Sequence, residues 1–246
     1  MSRLTIIMPV LNESERIVAA LEAIADLRAR GTEVIVIDGG SRDATVQRAR
    51  GGADRVLSAP QGRAFQMNFG AEKASGDVLL FLHADTRLPA DADRLVLNGL
   101  DRSGCVWGRF DVKIDGSSPL LSIVALLMSL RSRLTGIATG DQAIFVRRAA
   151  FQGVGCFPAI ALMEDIALCK QLKDVSRPLC LREYVTTSGR RWEKNGVLHT
   201  IGLMWLLRLA YFFGADPNKL AQRYGYGRIG GRSGARQSAA ARLRKN

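Results

Sequence analysis

The chain has no C-x-x-C pair, no P-loop and no apolar run long enough to cross a membrane, and each absence removes a class of protein. Cys105, Cys156, Cys169 and Cys180 are scattered over 246 residues. That spacing builds neither a zinc site nor a disulfide framework, so reduced thiols in a cytoplasmic core are expected. The first apolar stretch, Leu4–Val10, is too short for a leader and runs at once into Asn12-Glu13-Ser14-Glu15-Arg16, so no signal peptide is expected. Pro119–Leu130 ends in Arg131-Ser132-Arg133, and Arg208 interrupts Val197–Phe213, so neither suits a bilayer span. No G-x-G-x-x-G follows the first strand, which counts against a dinucleotide-dependent oxidoreductase. There is no internal repeat, and no linker before about residue 215.

Acid is missing from the end of the chain. Pro217 to Asn246 holds eight Lys/Arg and no Asp or Glu, against a net charge of +12 for the whole sequence. With the glycines between Gly225 and Gly234, residues 216–246 read as a flexible basic tail on a single domain, 1–215. Such a tail is an adhesive for polyanions, either an anionic membrane surface or nucleic acid. The apolar helices beside it put the membrane ahead, and no specific nucleic acid is expected. The remaining composition, 47% hydrophobic and 24% charged, is that of a folded protein with a sizeable core.

What is present is a regular alternation. Leu4–Met8, Val34–Ile37, Arg55–Leu57 and Val78–Leu82 read as strands. Glu13–Arg30, Arg42–Arg50 (entered through Ser41) and Arg63–Lys73 read as helices. That order implies an α/β fold whose mainly parallel sheet has helices on both faces. Beyond Cys105 the pattern turns irregular. Val106–Ile114 is strand-like, Pro119–Leu130 an apolar helix and Ala143–Val146 a strand. A short helix at Asp165–Leu172, a strand near Leu181–Thr186 and the helix Val197–Phe213 follow. For the two apolar helices core packing is the default reading, and a monotopic contact with a membrane interface is the alternative.

Two of the strands deliver acids. Val78–Leu82 runs into His83-Ala84-Asp85-Thr86, and Val34–Ile37 into Asp38-Gly39-Gly40-Ser41. In open α/β sheets ligands sit beyond the carboxyl ends of the strands. An acid there is placed to carry a divalent cation, and with it a phosphate. One such Asp would read as a helix cap; a second strand ending the same way makes it a site.

On these residues the chain resembles the family 2 nucleotide-sugar glycosyltransferases, which have the Rossmann-like GT-A fold. The likeness covers roughly residues 3–195 and rests on five motifs in order. They are Pro9-Val10-Leu11-Asn12-Glu13, Asp38-Gly39-Gly40-Ser41-Arg42-Asp43, Gly62-Arg63-Ala64 with Asn68-Phe69-Gly70, Leu82-His83-Ala84-Asp85-Thr86, and Met163-Glu164-Asp165. The His-Ala-Asp-Thr and Ser-x-Arg-Arg-Trp wording is most similar to the small bacterial radical-SAM/selenodomain-associated transferases.

The resemblance implies roles that the residues can chemically fill. Pro9, Leu11, Glu13 and Asp38 become the nucleoside pocket, the two carboxylates accepting from base or ribose. Arg63, at a helix start, faces the nucleotide with Asn68 on the next turn. Asp85 stands where the family has its metal-binding D-x-D, with His83 in the first position, and Mg²⁺ or Mn²⁺ is the implied cofactor. Asp165 becomes the general base of an inverting displacement, with Glu164 as neighbour or alternate, and Asp141 lines the acceptor side. Arg190 and Arg191, not distinguishable by spacing, offset charge on the diphosphate, and Trp192 stacks beneath a sugar. The irregular second half is then the acceptor half.

The expected function is metal-dependent, inverting transfer from a UDP- or GDP-sugar to an unidentified hydroxyl acceptor, lipid-linked acceptors included. The expected location is cytoplasmic, extending to the inner face of the cell membrane. Two alternatives stand beside it. A non-catalytic membrane-surface or nucleic-acid binding module would not need acids at three loop positions. A nucleotidyltransferase would show a basic, glycine-rich loop where Leu11-Asn12-Glu13 stands.

Overall fold

Four strands pair in parallel in the order β3-β2-β1-β4: β1 (Leu4–Val10), β2 (Glu33–Asp38), β3 (Arg55–Ser58) and β4 (Val78–Phe81). The structure, a computed structural model, describes residues 2–223. β2 and β4 are buried throughout and β1 almost so, as strands covered on both faces must be. Alternate side chains serve opposite layers. Ile6, Met8, Val34 and Val36 meet α1 (Ile17–Glu22), α2 (Ala25–Ala29) and α3 (Thr45–Ala49), while Ile7, Ile35, Ile37 and Leu79 meet α4 (Arg63–Lys73). α4 lies directly on the sheet: a Cβ at Gly70 would stand 2.4 Å from the Ile7 side chain.

The helix expected over Glu13–Arg30 is two, broken at Ala23-Ile24. Its buried stripe, Ile17, Ala20, Leu21, Ile24 and Leu27, is the expected one. The next helix starts at Thr45, not at Arg42.

The second half adds β5 (Thr86–Arg87), α5 (Ala92–Ser103), β6 (Trp107–Asp115), α6 (Leu120–Thr135), β7 (Phe145–Arg147), α7 (Arg148–Gly153), α8 (Glu164–Val175), β8 (Leu179–Ser188), α9 (Arg190–Asn195), α10 (Val197–Phe212) and α11 (Pro217–Arg223). The described strands form one sheet of order β3-β2-β1-β4-β7-β6-β8-β5. The parallel arrangement stops at β7, which is antiparallel to both β4 and β6; β6 is parallel to β8, and β5 antiparallel to it.

Laid flat, such a sheet would separate β4 from β5 by about 19 Å. The link Leu82–Asp85 could span that only at full stretch, yet it holds a turn, Thr86 N–H donating to His83 O at 3.1 Å. The sheet therefore curls, and Asp85 is brought against the end of β8, where Ser188 N–H donates to its carbonyl at 3.1 Å.

Burial in this half is partial. α6 is tied to β6 by a buried ion cluster: Arg109 pairs with Asp111 and donates to Ser129 O at 3.1 Å, and Arg133 reaches Asp111 at 2.6 Å. α6 turns Leu121, Val124 and Ala125 inward, and α10 buries only Thr200 and Leu207 along its length. Core packing thus accounts for a stripe of each apolar helix and not for the rest. The first residues of the segment expected as a tail form α11, whose Leu220 and Ala221 join Leu162, Met163, Ile166 and Leu207. The remainder, 224–246, including Gly225–Gly234, lies outside the described residues. No described helix is long and apolar enough to cross a membrane.

Candidate active site

β1 and β2 end in register, Val10 opposite Asp38, and the loops that leave them are bound to each other. Asn12 N–H donates to Ser41 Oγ at 2.8 Å, and Arg42 N–H donates to Asn12 Oδ1 at 2.9 Å. Glu13 N–H donates to Thr45 Oγ1 at 2.8 Å and Ser14 N–H to Asp43 Oδ2 at 3.1 Å. Ser41, expected as a helix cap, is a loop-to-loop acceptor instead. Beneath them the buried amide of Gln66 donates to Val10 O at 2.9 Å and Ile37 O at 2.7 Å, clamping both strand ends. The motif reading passed over Gln66; its signal is a polar residue on the buried stripe of an amphipathic helix.

Acids on this side have hydrogen-bond or ion-pair donors from neighbouring residues. Asp38 accepts from Gly40 N–H at 2.9 Å and Ser41 N–H at 3.1 Å, which fixes its plane and leaves acceptor capacity for a ligand N–H. The Thr45 hydroxyl, then the N–H groups of Ser14 and Thr45, hold the Asp43 carboxyl well below the usual range against some desolvation. Glu13 is paired with Arg16 at 2.7 Å. Pro9 and Leu11 are half-buried at the same strand end. Asn68 has another partner: its carboxamide donates to Phe157 O at 2.8 Å and accepts from Phe157 N–H at 3.0 Å. It clamps the loop between α7 and α8 instead of facing the nucleotide side.

That clamp positions the catalytic candidates. Phe157 stacks edge-on against Phe81 (4.8 Å between centroids) and Phe151 (5.4 Å), so the end of β4, α7 and the loop that leads to α8 share one aromatic cluster. The loop then enters α8 through Met163 at φ 70°. The non-glycine residues with positive φ among those described are Asn12, Ala143, Cys156 and Met163, all in loops that carry or adjoin site residues. Strain of this kind, about 1–3 kcal/mol per residue, collects where geometry is imposed for function.

Glu164 is buried, and Asp165 has both oxygens engaged, Oδ2 by Gly140 N–H at 3.0 Å and Oδ1 by Ile166 N–H at 2.7 Å. Burial, and then the charge of Asp165, push the Glu164 carboxyl up to about 7. Burial also raises Asp165, opposed by its two N–H donors and reinforced by Asp141. Two carboxylates in this position titrate as a pair.

Opposite lies the turn Gly140–Gln142, anchored by Gln142 Nε2 donating to Ser132 Oγ at 3.0 Å and Phe110 O at 3.3 Å. His83 Nδ1 stands 3.5 Å from Asp141 Oδ1. A Cβ on Gly140 would be 2.6 Å from the imidazole, so the backbone here must be glycine for His83 to fit. The imidazole is thus lodged against Asp141 and Gly140. Although desolvation opposes it, contact with His83 and the charges of Arg63 and Arg191 hold Asp141 below its usual range.

The cations converge on these acids. Arg63, at the start of α4, acts on Asp141, Glu164 and Asp165 together. The structure separates the two arginines that spacing left equal: Arg191 is half-buried and acts on Asp141, whereas Arg190 is exposed. Trp192 is half-buried and packs against the core. Arg131 of α6 was not foreseen. Its charge reaches Asp165 while its buried Nε and Nη2 lack hydrogen-bond partners, and desolvation lowers its pKa.

Asp85 is the exposed acid of the group, with the Thr86 hydroxyl at 3.4 Å. No cluster of three or more His, Cys, Asp or Glu that could hold a metal alone is found among the described residues. The donor set fits a hard cation that takes one carboxylate from the protein and the rest of its oxygens from a diphosphate and water.

A parallel block ending in a nucleotide-type pocket, joined to a curled mixed half that carries the acid pair, is the GT-A glycosyltransferase layout. Residues 5–150, more than half of the chain, match Glycosyl transferase family 2, and the chain belongs to that family. No curated protein matches it. Among solved structures it is similar to Staphylococcus aureus TarS 1–349 in complex with UDP, with a TM-score of 0.61 and 19% identity over 76% of this chain and 60% of that one. It is also similar to glucosyl-3-phosphoglycerate synthase from Mycobacterium tuberculosis, bound to Mn²⁺, UDP and glucosyl-3-phosphoglycerate. There the TM-score is 0.55 at 20% identity, covering 76% and 71% of the two chains. The mannosyltransferase PcManGT from Pyrobaculum calidifontis, with GDP-Man and Mn²⁺, gives 0.57 at 20% identity over 75% and 56%. At these identities the likeness is one of fold, and the chain spans about 60% of the TarS fragment.

Proposed function

We propose that the protein transfers a sugar, with inversion, from a UDP- or GDP-sugar to a hydroxyl acceptor, assisted by Mg²⁺ or Mn²⁺. The observation that supports this most is the placing of two unlike acid sets at one end of the sheet: Asp38 and Asp85 at strand tips, and the buried Glu164–Asp165 pair across from them. Asp38 accepts from the base and Glu13 from the ribose. Asp85 would hold the cation, which supplies charge neutralisation at the diphosphate. Arg63 and Arg191 add fixed positive charge where the leaving group becomes more anionic.

Asp165 takes the proton of the acceptor hydroxyl as its oxygen bonds to the anomeric carbon and the bond to the diphosphate breaks. The N–H groups of Gly140 and Ile166 fix the direction of the base. Glu164, with its raised pKa, keeps a proton near neutrality, so the pair presents one basic carboxylate and not two repelling ones. His83 orients Asp141 on the acceptor side. The free cysteines fit a reducing compartment, and we place the protein in the cytoplasm, reaching the inner membrane face.

A donor screen that reads nucleotide diphosphate release, with Mn²⁺ and with EDTA, tests the proposal. Release from at least one UDP- or GDP-sugar with Mn²⁺ and its loss with EDTA is expected. Absence of release from every donor would contradict it.

A further inference from the structure

α6 and α10 carry an apolar surface that the fold does not use. Leu126, Leu127 and Leu130 on α6 are exposed, and so are Trp205, Leu209 and Phe212 on α10; Leu126 is 67% accessible and Trp205 71%, against 1% for Leu207 on the inner stripe. The helices belong to one flank. Ile137, just past α6, packs in the small cluster of Leu162, Met163 and Ile166 that also receives Leu203 and Leu207 of α10. Monomeric proteins rarely expose this many large apolar side chains on two neighbouring helices without a use for them.

Charge selects what covers it. No acid occurs between Asp115 and Asp141, the stretch that includes α6, and Asp216 is the sole acid from Lys194 to Asn246. The same stretch carries Arg208, Lys219 and Arg223 and the basic residues beyond. A second copy of the chain would set like charge against like, whereas an anionic lipid surface offers the opposite sign. The residue type agrees: the exposed Trp205 is a side chain favoured where hydrocarbon meets headgroups. At 16 residues α10 is about 24 Å long, which suits lying in the interface and not crossing a core of about 30 Å.

We propose that α6 and α10 dock the protein on an anionic membrane surface. Their exposed Leu, Trp and Phe side chains enter the headgroup–acyl boundary, and the exposed Lys219 and Arg223 meet lipid phosphates. The inner stripe of α10 rests on Met163 and Ile166, so the Glu164–Asp165 pair lies one packing layer from the docked face. The docking does not depend on the transferase reading.

The test uses the full chain and sedimentation with vesicles of phosphatidylcholine alone or with about one-third phosphatidylglycerol. Binding to the anionic vesicles, weak binding to the neutral ones and a steep loss with added salt are expected. Trp205→Ser/Leu209→Ser should lower binding by roughly tenfold or more, with nucleotide binding unchanged. Vesicles with brominated acyl chains should quench tryptophan emission in the natural chain, and Trp205→Phe should remove most of that quenching while keeping the binding. This readout decides the matter even if the double variant fails to fold.

Absent binding, or equal binding to neutral vesicles, overturns the proposal. So does a double variant that binds as the natural chain does, because the basic tail would then suffice. A dimer in light scattering that the double variant splits would make the face a protein interface and would also overturn it.

Discussion

The two ends of the site handle their acids in opposite ways. On the β1–β2 side, Asp38 and Asp43 accept hydrogen bonds from backbone N–H groups, and Asp43 is held below its usual pKa. On the α8 side, Glu164 and Asp165 are buried beside each other, and both are raised even though Asp165 accepts two backbone N–H groups. A carboxylate such as Asp38, held in plane by N–H donors of its own loop and with acceptor capacity left, is suited to accepting hydrogen bonds from a nucleoside. One whose pKa is lifted toward neutrality is suited to moving a proton. The proposed function accordingly divides binding and proton transfer between the two halves of the chain, and this division can be broken experimentally.

The largest effect is expected from Asp165→Asn, which should reduce turnover about 10²–10⁴-fold, the scale for losing a general base. Steady-state kinetics with saturating donor checks it. If the Asn variant keeps its turnover while Glu164→Gln loses it, the base is the neighbour. If both stay active, the acceptor half does not do acid–base work.

Stability should be asymmetric as well. Asp111→Ala strands the fully buried Arg109 and releases Arg133, so a loss of about 3 kcal/mol is expected by urea unfolding. A loss much below this would mean that the cluster does not hold α6 to β6.

The acid pair also sets a pH signature. Its pKa values are raised in the folded chain, with Glu164 moved from 4.5 to about 7. Between those values the folded state binds more protons than the unfolded one. Stability should fall as pH rises through that window while turnover rises. Melting temperature and kcat measured together from pH 4.5 to 8 check the opposing slopes; Asp165→Asn should flatten the turnover slope and reduce the stability slope without abolishing it, because burial alone keeps Glu164 raised. Parallel slopes would mean that the pair is not raised.

A smaller effect separates the arginines. Arg191→Ala should cost roughly tenfold in kcat/KM, the size of one charge-assisted contact, and Arg190→Ala little. The reverse ranking would move the diphosphate contact to the exposed residue.

The parallel half was largely legible because its signals are local. Continuous apolar strands, the stripe on α1 and α2, and acids at the tips of β2 and β4 need no knowledge of distant contacts. α5 was also legible, since Ala92, Val96 and Leu100 are buried at helical spacing, but no motif drew attention to it. The antiparallel β7 and the pairing of β8 with β5 were hidden. They join residues far apart in the chain, Leu79 with Val146 and Thr86 with Thr187 for instance, and the second pairing depends on the curl of the sheet. The same holds at the site. Family motifs named Asp38, Asp85 and Asp165, but the clamp by Gln66, the use of Asn68 to hold Phe157, and the approach of Arg131 to Asp165 are tertiary facts. Arg191 could be told from Arg190 only once the turn into α9 was seen.

The division of labour is tested most directly by calorimetric titration of UDP and GDP, with Mn²⁺, into Asp38→Ala and Asp165→Asn beside the natural chain. Asp165→Asn should keep the affinity of the better nucleotide within about twofold, and Asp38→Ala should weaken it by roughly tenfold or more, the worth of one hydrogen bond to a charged acceptor. If Asp165→Asn loses nucleotide affinity as fully as Asp38→Ala, or if neither does, the two acid sets are not divided between donor binding and proton transfer, and the account fails.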